Sequence, residues 1–352
     1  MARILLWRFV RTGLAVWALA SAVFLLSRQD LDTAVRLQLP DSTELAAGRT
    51  TSADQRASQA AVQHRLGLDI PLFYANRRPA TPPAAPKWQW NGLHNQYHHW
   101  LRGLLRGDWG TSFRTGEPVW AHLRHALAYT LPLTGTAAIL AVCAALALAP
   151  RLASGAGWQR PLRTVLVGLH ALPLFVVALA LLLLFANPEV LAWFPAYGLD
   201  QPADGDAGFW HHFTTYVQHL TLPVLALTLS ALPELTLQLD AALAQELRTD
   251  YATTARAKGL AETAVVRHHA LRNALLPTIT QLTELLPALV AGAVVVEVVF
   301  ALPGMGRLLA EAATTRDYPM LVGGILLTGA ARLLALLLAD LLYVWADPRI
   351  RW

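Results

Sequence analysis

Six ionisable side chains interrupt long apolar runs: Glu234, Asp240, Glu284, Glu297, Arg332 and Asp340. A charge is costly in a low-dielectric surrounding, so such residues usually face a protein interior or a water-filled path and find partners there. Arg332 lies near the middle of its run and needs an anion. Glu234 or Glu284 on a facing helix is expected to supply it. Two kinds of chemistry fit the set: a charged lining for the path of a zwitterionic solute, or a buried structural ion pair, which is the preferred reading. Asp240 and Asp340 lie near the ends of their runs and are expected to reach water.

Hydrolytic chemistry finds no support. The sequence has no HExxH, no GxSxG turn and no GxxxxGK[ST] frame, and Lys87 and Lys258 are its only lysines. The chain therefore cannot hydrolyse ATP by the P-loop route and must borrow any such activity. His94, His98 and His99 cluster beside Trp88, Trp90 and Trp100. Adjacent histidines on a helix point apart, so an interfacial aromatic face is preferred to a metal site, and no metal ligands are assigned. His211-His212 and His268-His269 read the same way.

The polar, basic segment Asp250–Pro277 lies between two apolar runs. From Leu243 to Lys258 strong helix formers dominate, and Leu243, Leu247, Tyr251 and Ala255 recur every four residues, which predicts one apolar stripe. Gly259 is placed as a helix C-terminal glycine in the left-handed conformation. A second helix is expected from Ala261 to about Ala274, with Pro277 redirecting the chain. Ala252, Ala255 and Ala257 permit close helix approach, Tyr251 and Leu260 are apolar knobs, and Arg256 and Lys258 offer charge to an acidic groove. Pattern alone leaves two readings open: a helix pair gripped by a partner, able to transmit its rigid-body motion, or an ordinary amphipathic surface hairpin.

The elements that must position these residues are membrane helices. Hydrophobic residues make up 55% of the chain and charged residues 14%, a membrane-protein balance. Six segments reach the length of about 20 residues that a bilayer requires: 5–27, 126–150, 162–186, 216–240, 279–301 and 320–346. The expected fold is an all-α polytopic membrane protein with six transmembrane helices. Prolines 132, 173, 223, 233 and 287 fall inside these spans, where neighbouring helices can re-satisfy the freed backbone groups. Cys143 is the single cysteine, so no intrachain disulfide forms. The net charge of +5 is spread over loops as arginine, without a nucleic-acid-binding stripe. Arg3, Arg8 and Arg11 followed by Ala20-Ser21-Ala22 resemble a signal peptide, but the apolar run continues through Leu26, which favours an uncleaved helix.

The short loops set the orientation. Loops 151–161 and 241–278 and the tail are rich in arginine, whereas 187–215 has no Lys or Arg and carries Glu189, Asp200, Asp204 and Asp206. Both termini are therefore expected in the cytoplasm. Three regions follow: 1–27 with the first span, an extracytoplasmic insertion at 28–125, and a five-helix core at 126–352 carrying the loop at 241–278. Within the insertion, 41–63 reads as a polar helix, 78–87 as a stiff proline-rich linker, 97–106 as amphipathic and Gly107–Gly110 as a tight turn.

The patch Tyr251–Leu260, YATTARAKGL, followed by His269–Pro277, HALRNALLP, resembles the EAA loop of permeases of ATP-binding-cassette (ABC) importers, closest to the dipeptide/oligopeptide and nickel subfamily. LGLDIPL at 66–72, GDWGTS at 107–112, VEVVFALPGMGRLL at 296–309, RDYP at 316–319, DLLY at 340–343 and DPRIR at 347–351 resemble further patches of that family. The resemblance covers nearly the whole chain, weakest at 41–63 and 75–96. It implies a type I importer permease fold with a long loop after the first span, in the bacterial inner membrane. It also implies a second homologous permease, two cytoplasmic ATP-binding subunits that use ATP and Mg, an extracytoplasmic binding protein, surrounding lipid, no nucleic acid and no cofactor on this chain. Peptide is the implied cargo, with nickel or another small solute as the alternative. A self-sufficient channel or secondary transporter would need an internal repeat, which is not seen. The family's loop docks on the ATPase. Carried over, the contacts centre on Thr253, Thr254, Ala255, Arg256, Ala257, Lys258 and Gly259, flanked by Tyr251 and Leu260. Thr253 stands where the generic motif has its glutamate.

Overall fold

The computed structural model describes residues 2–27, 61, 69–78, 87–153, 158–196 and 209–346. In chain order the elements are α1 (Ala2–Ser27), β1 (Ala75–Arg78), β2 (Lys87–Trp90), α2 (Gln96–Leu105), α3 (Val119–Ala153), α4 (Gln159–His170), α5 (Leu174–Phe185), α6 (Phe209–Glu246) and α7 (Asp250–Ala257). A helical turn (Glu262–Ala264) and a π-helical turn (Val265–Ala270) lead into α8 (Leu271–Val299), followed by α9 (Met305–Thr314) and α10 (Tyr318–Ala346).

Among the described residues, four helices are long and apolar enough to cross a bilayer: Phe9–Leu26 within α1, α3, α6 and Tyr318–Ala335 within α10. The helix α8 contains a shorter apolar stretch, Ala288–Val299. The expected continuous span at 162–186 is corrected. It is two helices, α4 and α5, bent by 104° at the break, and it makes a fifth crossing only if the bent pair is taken as one. Pro173 occupies the N-cap of α5, where its missing N–H removes no helical bond. The two halves also differ in character. The helix α4 carries Gln159, Arg160, Arg163 and His170, whereas every residue of α5 is apolar. By contrast Pro132, Pro223 and Pro233 lie inside unbroken helices.

The chain divides into two compact units, one of residues 1–13, 124–310 and 328–352, the other of 14–123 and 311–327. The core of the first is built on an alanine ladder: Ala137, Ala141 and Ala145 of α3 are buried, at the four-residue spacing that lets a neighbouring backbone approach. They pack in one cluster with Ala178 of α5, Leu222, Ala226 and Leu227 of α6, and Leu285, Leu289, Ala293 and Val296 of α8.

The second unit is held by aromatic rings. Phe24 of α1 stacks on Trp100 of α2 with centroids 4.8 Å apart, and Ser21 Oγ lies 2.8 Å from Tyr97 Oη. Asn95 caps α2, its Oδ1 accepting from the His98 amide at 2.8 Å. The turn at Gly107–Gly110 is present, with φ of +82° and +79° at its two glycines and the Gly110 amide bonded to Asp108 Oδ1 at 2.9 Å. The expected linker at 78–87 begins and ends in paired strands: β1 and β2 are antiparallel with Ala75 opposite Trp90 and Arg78 opposite Lys87. Residues 79–86 and, apart from Ala61, the expected helix at 41–63 lie outside the described residues. The Ser112 hydroxyl donates to the buried Asp317 carboxylate, which also accepts from the Phe113 amide at 3.1 Å.

Close packing makes one glycine testable. A Cβ on Gly306 would meet the Val294 backbone at 2.5 Å, whereas one on Gly135 would meet nothing within 4 Å. Gly306→Ala is expected to destabilise the chain by about 1–3 kcal/mol, the usual cost of overpacking. Gly135→Ala, inside a helix, should be neutral or stabilising by up to about 1 kcal/mol. Thermal unfolding of the purified protein in detergent checks both.

Candidate functional site

The segment between α6 and α8 is a hairpin folded on Gly259, whose φ of +80° is the left-handed value expected from the sequence. The Gly259 amide donates to Arg256 O at 2.9 Å and the Leu260 amide to Ala255 O at 3.3 Å, closing the end of α7. The single helix expected from Leu243 to Lys258 is corrected. It breaks at Leu247–Thr249, between α6 and α7. Two side chains account for the break. Thr249 Oγ1 donates back to Glu246 O at 2.6 Å, and Arg256 Nη1 takes Leu247 O at 2.9 Å, the acceptor that a continuous helix would need. The second half also differs from expectation. Helix α8 runs unbroken through Pro277, so the chain is redirected at Gly259 rather than at the proline.

The apolar stripe survives the break. Leu243 is buried, Leu247 and Tyr251 are half-buried, and Ala252 and Ala255 pack against Val265 of the π-helical turn. Small side chains here let the two halves of the hairpin close on each other. Thr253, Thr254, Arg256, Ala257, Lys258, Gly259 and Leu260 are exposed. Of the expected contact residues, Ala255 therefore faces inward, and the Arg256 guanidinium is engaged within the hairpin. Thr253, Thr254, Ala257, Lys258 and Leu260 form the outward face.

Two braces hold that face in place. Arg256 spans the hinge as a bidentate donor, Nε to Glu262 Oε2 at 2.9 Å and Nη2 to Glu262 Oε1 at 2.7 Å. Hydrogen bonding to Arg256 first, and its charge second, hold the Glu262 carboxyl below the usual carboxylate range against an opposing desolvation. The second brace ties three elements: Tyr251 Oη of α7 donates to Glu246 Oε2 of α6 at 2.5 Å, and Asn273 Nδ2 of α8 reaches Tyr251 Oη at 3.2 Å. Burial, then the hydrogen bond to Glu246, raises the Tyr251 hydroxyl above its ordinary value. Sequence reading missed Glu246, Glu262 and Asn273. They lie 5, 6 and 22 residues from their partners, and none of these separations is a helical neighbour spacing.

The charges of the apolar runs separate into three environments. Glu297 is fully buried: Thr130 Oγ1 donates to Oε1 at 2.6 Å, and the Gly306 and Arg307 amides donate to Oε2 at 2.7 and 3.1 Å. It thus caps the start of α9 with a carboxylate, the favourable sign for a helix N-terminus. Asp240, expected to reach water, is buried instead and pairs with Arg163 of α4 at 2.5 Å. Glu234 and Glu284 are exposed and line one cavity of about 190 Å³. Arg332 is also exposed and makes no ion pair among the described residues, so the expected bond to Glu234 or Glu284 is not formed. The side chain of Asp340 lies outside the described residues.

Residues 124–352 match the protein family described as "Binding-protein-dependent transport system inner membrane component". The chain is 33% identical over 332 residues to the di/tripeptide transport system permease protein DppB of Pseudomonas aeruginosa, covering 90% of this chain and 91% of that one. It is 33% identical to the probable D,D-dipeptide transport system permease protein DdpB of Escherichia coli, covering 85% and 86%. It is 32% identical to the glutathione transport system permease protein GsiC of Salmonella typhimurium, covering 90% and 91%.

The Arg256–Glu262 brace sets a pH dependence. Because the folded Glu262 pKa is depressed, its contribution is complete above the unfolded glutamate value of about 4.3 and is lost as pH falls through the lower folded value. Hydrogen exchange at the Gly259 and Leu260 amides, corrected for intrinsic rates, should show constant protection from pH 7 to about 4.3 and a decline below it. Arg256→Gln should lower that protection already at pH 7, and Ala255→Glu should do the same by opening the contact with Val265.

Proposed function

This chain belongs to the family of binding-protein-dependent transport system inner membrane components, and we propose that it is the permease subunit of an ABC importer that moves peptides. It is a multi-pass protein of the bacterial inner membrane. The relatives named for di/tripeptides, D,D-dipeptides and glutathione all span most of this chain, which supports a short peptide as cargo. In this reading six spans cross the bilayer, both termini are cytoplasmic and residues 28–125 form the extracytoplasmic insertion. A homologous second permease completes the path, and an extracytoplasmic binding protein delivers the peptide. Two cytoplasmic ATP-binding subunits use ATP and Mg, and this chain binds no cofactor of its own.

One observation carries the mechanism: the outward face of α7 is presented on a hairpin braced to both α6 and α8. A partner gripping Thr253, Thr254, Ala257, Lys258 and Leu260 moves a stiff element rather than a slack loop. Its rigid-body displacement passes directly to the two attached spans. Lys258 makes no ion pair among the described residues, so its ammonium is available to an acidic groove on the ATPase. The positive φ at Gly259 fixes the direction in which the face points.

Gly259→Pro forces φ toward about −65° and removes an amide that bonds Arg256 O. In the complex with its partner permease and ATPases, this variant and Ala257→Trp should each lower peptide-stimulated ATP hydrolysis and uptake by at least about tenfold, as loss of a central contact does. Membrane levels should be unchanged. Normal stimulated hydrolysis in both variants would refute docking through this face. Uptake by the chain alone in liposomes without ATP would refute the importer reading.

A further inference from the structure

We propose that Glu297 is a positioning residue of transport: its carboxylate clamps the far end of α8 to α3 and to the first turn of α9, so that these elements move as one. The inference rests on the permease reading above and names the residue that passes the hairpin's displacement on at the opposite side of the membrane. Glu297 has no exposed surface, so it acts on a solute only through the elements it holds.

Position makes α8 the carrier. The α7 hairpin joins α8 at its start, where Asn273 is bonded to Tyr251 Oη. Glu297 is the third residue from the other end. Leu271 and Glu297 lie 26 residues apart in one unbroken helix. That is about 39 Å at 1.5 Å per residue, against about 30 Å of hydrocarbon core. Among the described residues, the polar side-chain bonds from α8 to other helices are made by Asn273 and Glu297. Between them Leu285, Leu289 and Ala293 pack in the apolar core. The helix is thus tied by polar groups near both ends.

The chemistry of the clamp is directional. A fully satisfied buried polar network rigidifies a core and selects one arrangement of it, where apolar contacts alone tolerate repacking. Thr130 Oγ1 of α3 donates to Glu297 Oε1 at 2.6 Å, and the Gly306 and Arg307 amides of α9 donate to Oε2 at 2.7 and 3.1 Å. Thr130 Oγ1 also accepts the Met305 amide at 2.8 Å, which closes a ring of bonds through α3, α8 and α9. The fit is close as well. A Cβ on Gly304 would meet the Glu297 carboxyl atoms at 2.1–2.5 Å, and one on Gly306 the Val294 backbone at 2.5 Å. The first turn of α9 therefore cannot slip along α8. Arg307 Nη1 donates to Ala301 O at 2.7 Å and holds the connecting turn, in which Ala301 has a φ of +52°.

The test uses the complex assembled with the partner permease and ATPases. It reads the ratio of ATP hydrolysis with binding protein and peptide to hydrolysis without them. This ratio does not depend on how much complex assembles, so a merely structural defect leaves it unchanged. Glu297→Gln keeps the shape but turns an amide NH₂ toward donors. It should lower the ratio and peptide uptake by at least about fivefold, a typical size for coupling between sites, with the unstimulated rate per complex unchanged. Thr130→Val removes the hydroxyl and should lower the ratio in the same direction, whereas Thr130→Ser should keep it at the wild-type value. A ratio unchanged in both Glu297→Gln and Thr130→Val would overturn the inference. So would a Thr130→Ser complex as impaired as Thr130→Val. If Glu297→Gln fails to assemble, the two Thr130 variants decide.

A wild-type complex without any stimulation removes the permease reading instead. The clamp is then decided by spin labels on Ala128→Cys of α3 and Ala310→Cys of α9 in a Cys143→Ser chain. Glu297→Gln should broaden their distance distribution, and an unchanged distribution would overturn the clamp.

Discussion

A polar group inside an apolar span must find its partner within the protein, because hydrocarbon offers none. Buried threonines of the first unit follow this rule. Thr134, Thr228, Thr236 and Thr278 each donate to the carbonyl four residues earlier in their own helix, at 2.7–2.9 Å. Where a carboxylate is buried, as at Glu297, donors converge on it from separate elements. Thr130 of α3 serves twice there, donating to Glu297 and accepting the Met305 amide at 2.8 Å. Thr130, Glu297, Met305, Gly306 and Arg307, five residues from three helices, thereby fix the connection between α8 and α9. Gly304 is part of the same arrangement, since a Cβ there would meet the Glu297 carboxyl carbon at 2.1 Å.

The α7 hairpin obeys the rule in a more exposed setting. Its braces are made by long side chains that are partly solvated, so each contributes modestly to stability. Their importance is geometric. Arg256 bonds to Leu247 O on one side of α7 and to Glu262 on the other, while Tyr251 joins α6 to α8 through Glu246 and Asn273. The inner face closes on alanines, which leave little slack, and the outer face keeps polar and small residues. Stiffness and an uncommitted surface thus come from opposite sides of the same eight residues.

Local patterns were legible where the cause is local. Gly259 was readable because its left-handed conformation is cheap only for glycine. The stripe Leu243, Leu247, Tyr251 and Ala255 was readable because burial follows helical spacing. The break at Leu247–Thr249 was not, since it depends on Arg256 reaching back nine residues to a carbonyl. Nor were the ion pair of Arg163 with Asp240 or the bond of Thr130 to Glu297, whose members lie 77 and 167 residues apart. Proline gave an ambiguous signal for the same reason. Pro132 and Pro223 sit within continuous helices and Pro173 at a sharp corner, and it is the amphipathic character of α4 beside the apolar α5 that separates the cases.

The π-helical turn at Val265–Ala270 stands between the hairpin and the long helix α8. One extra residue in a turn advances the helix surface by about 100° relative to a regular α-helix. The hairpin and α8 are therefore out of phase, like two gears meshed one tooth apart. If that turn tightened to regular α-helix, a pull on the hairpin would become a twist of α8 about its own axis. The same six residues thus give the connection a rotational degree of freedom that a uniform helix would lack.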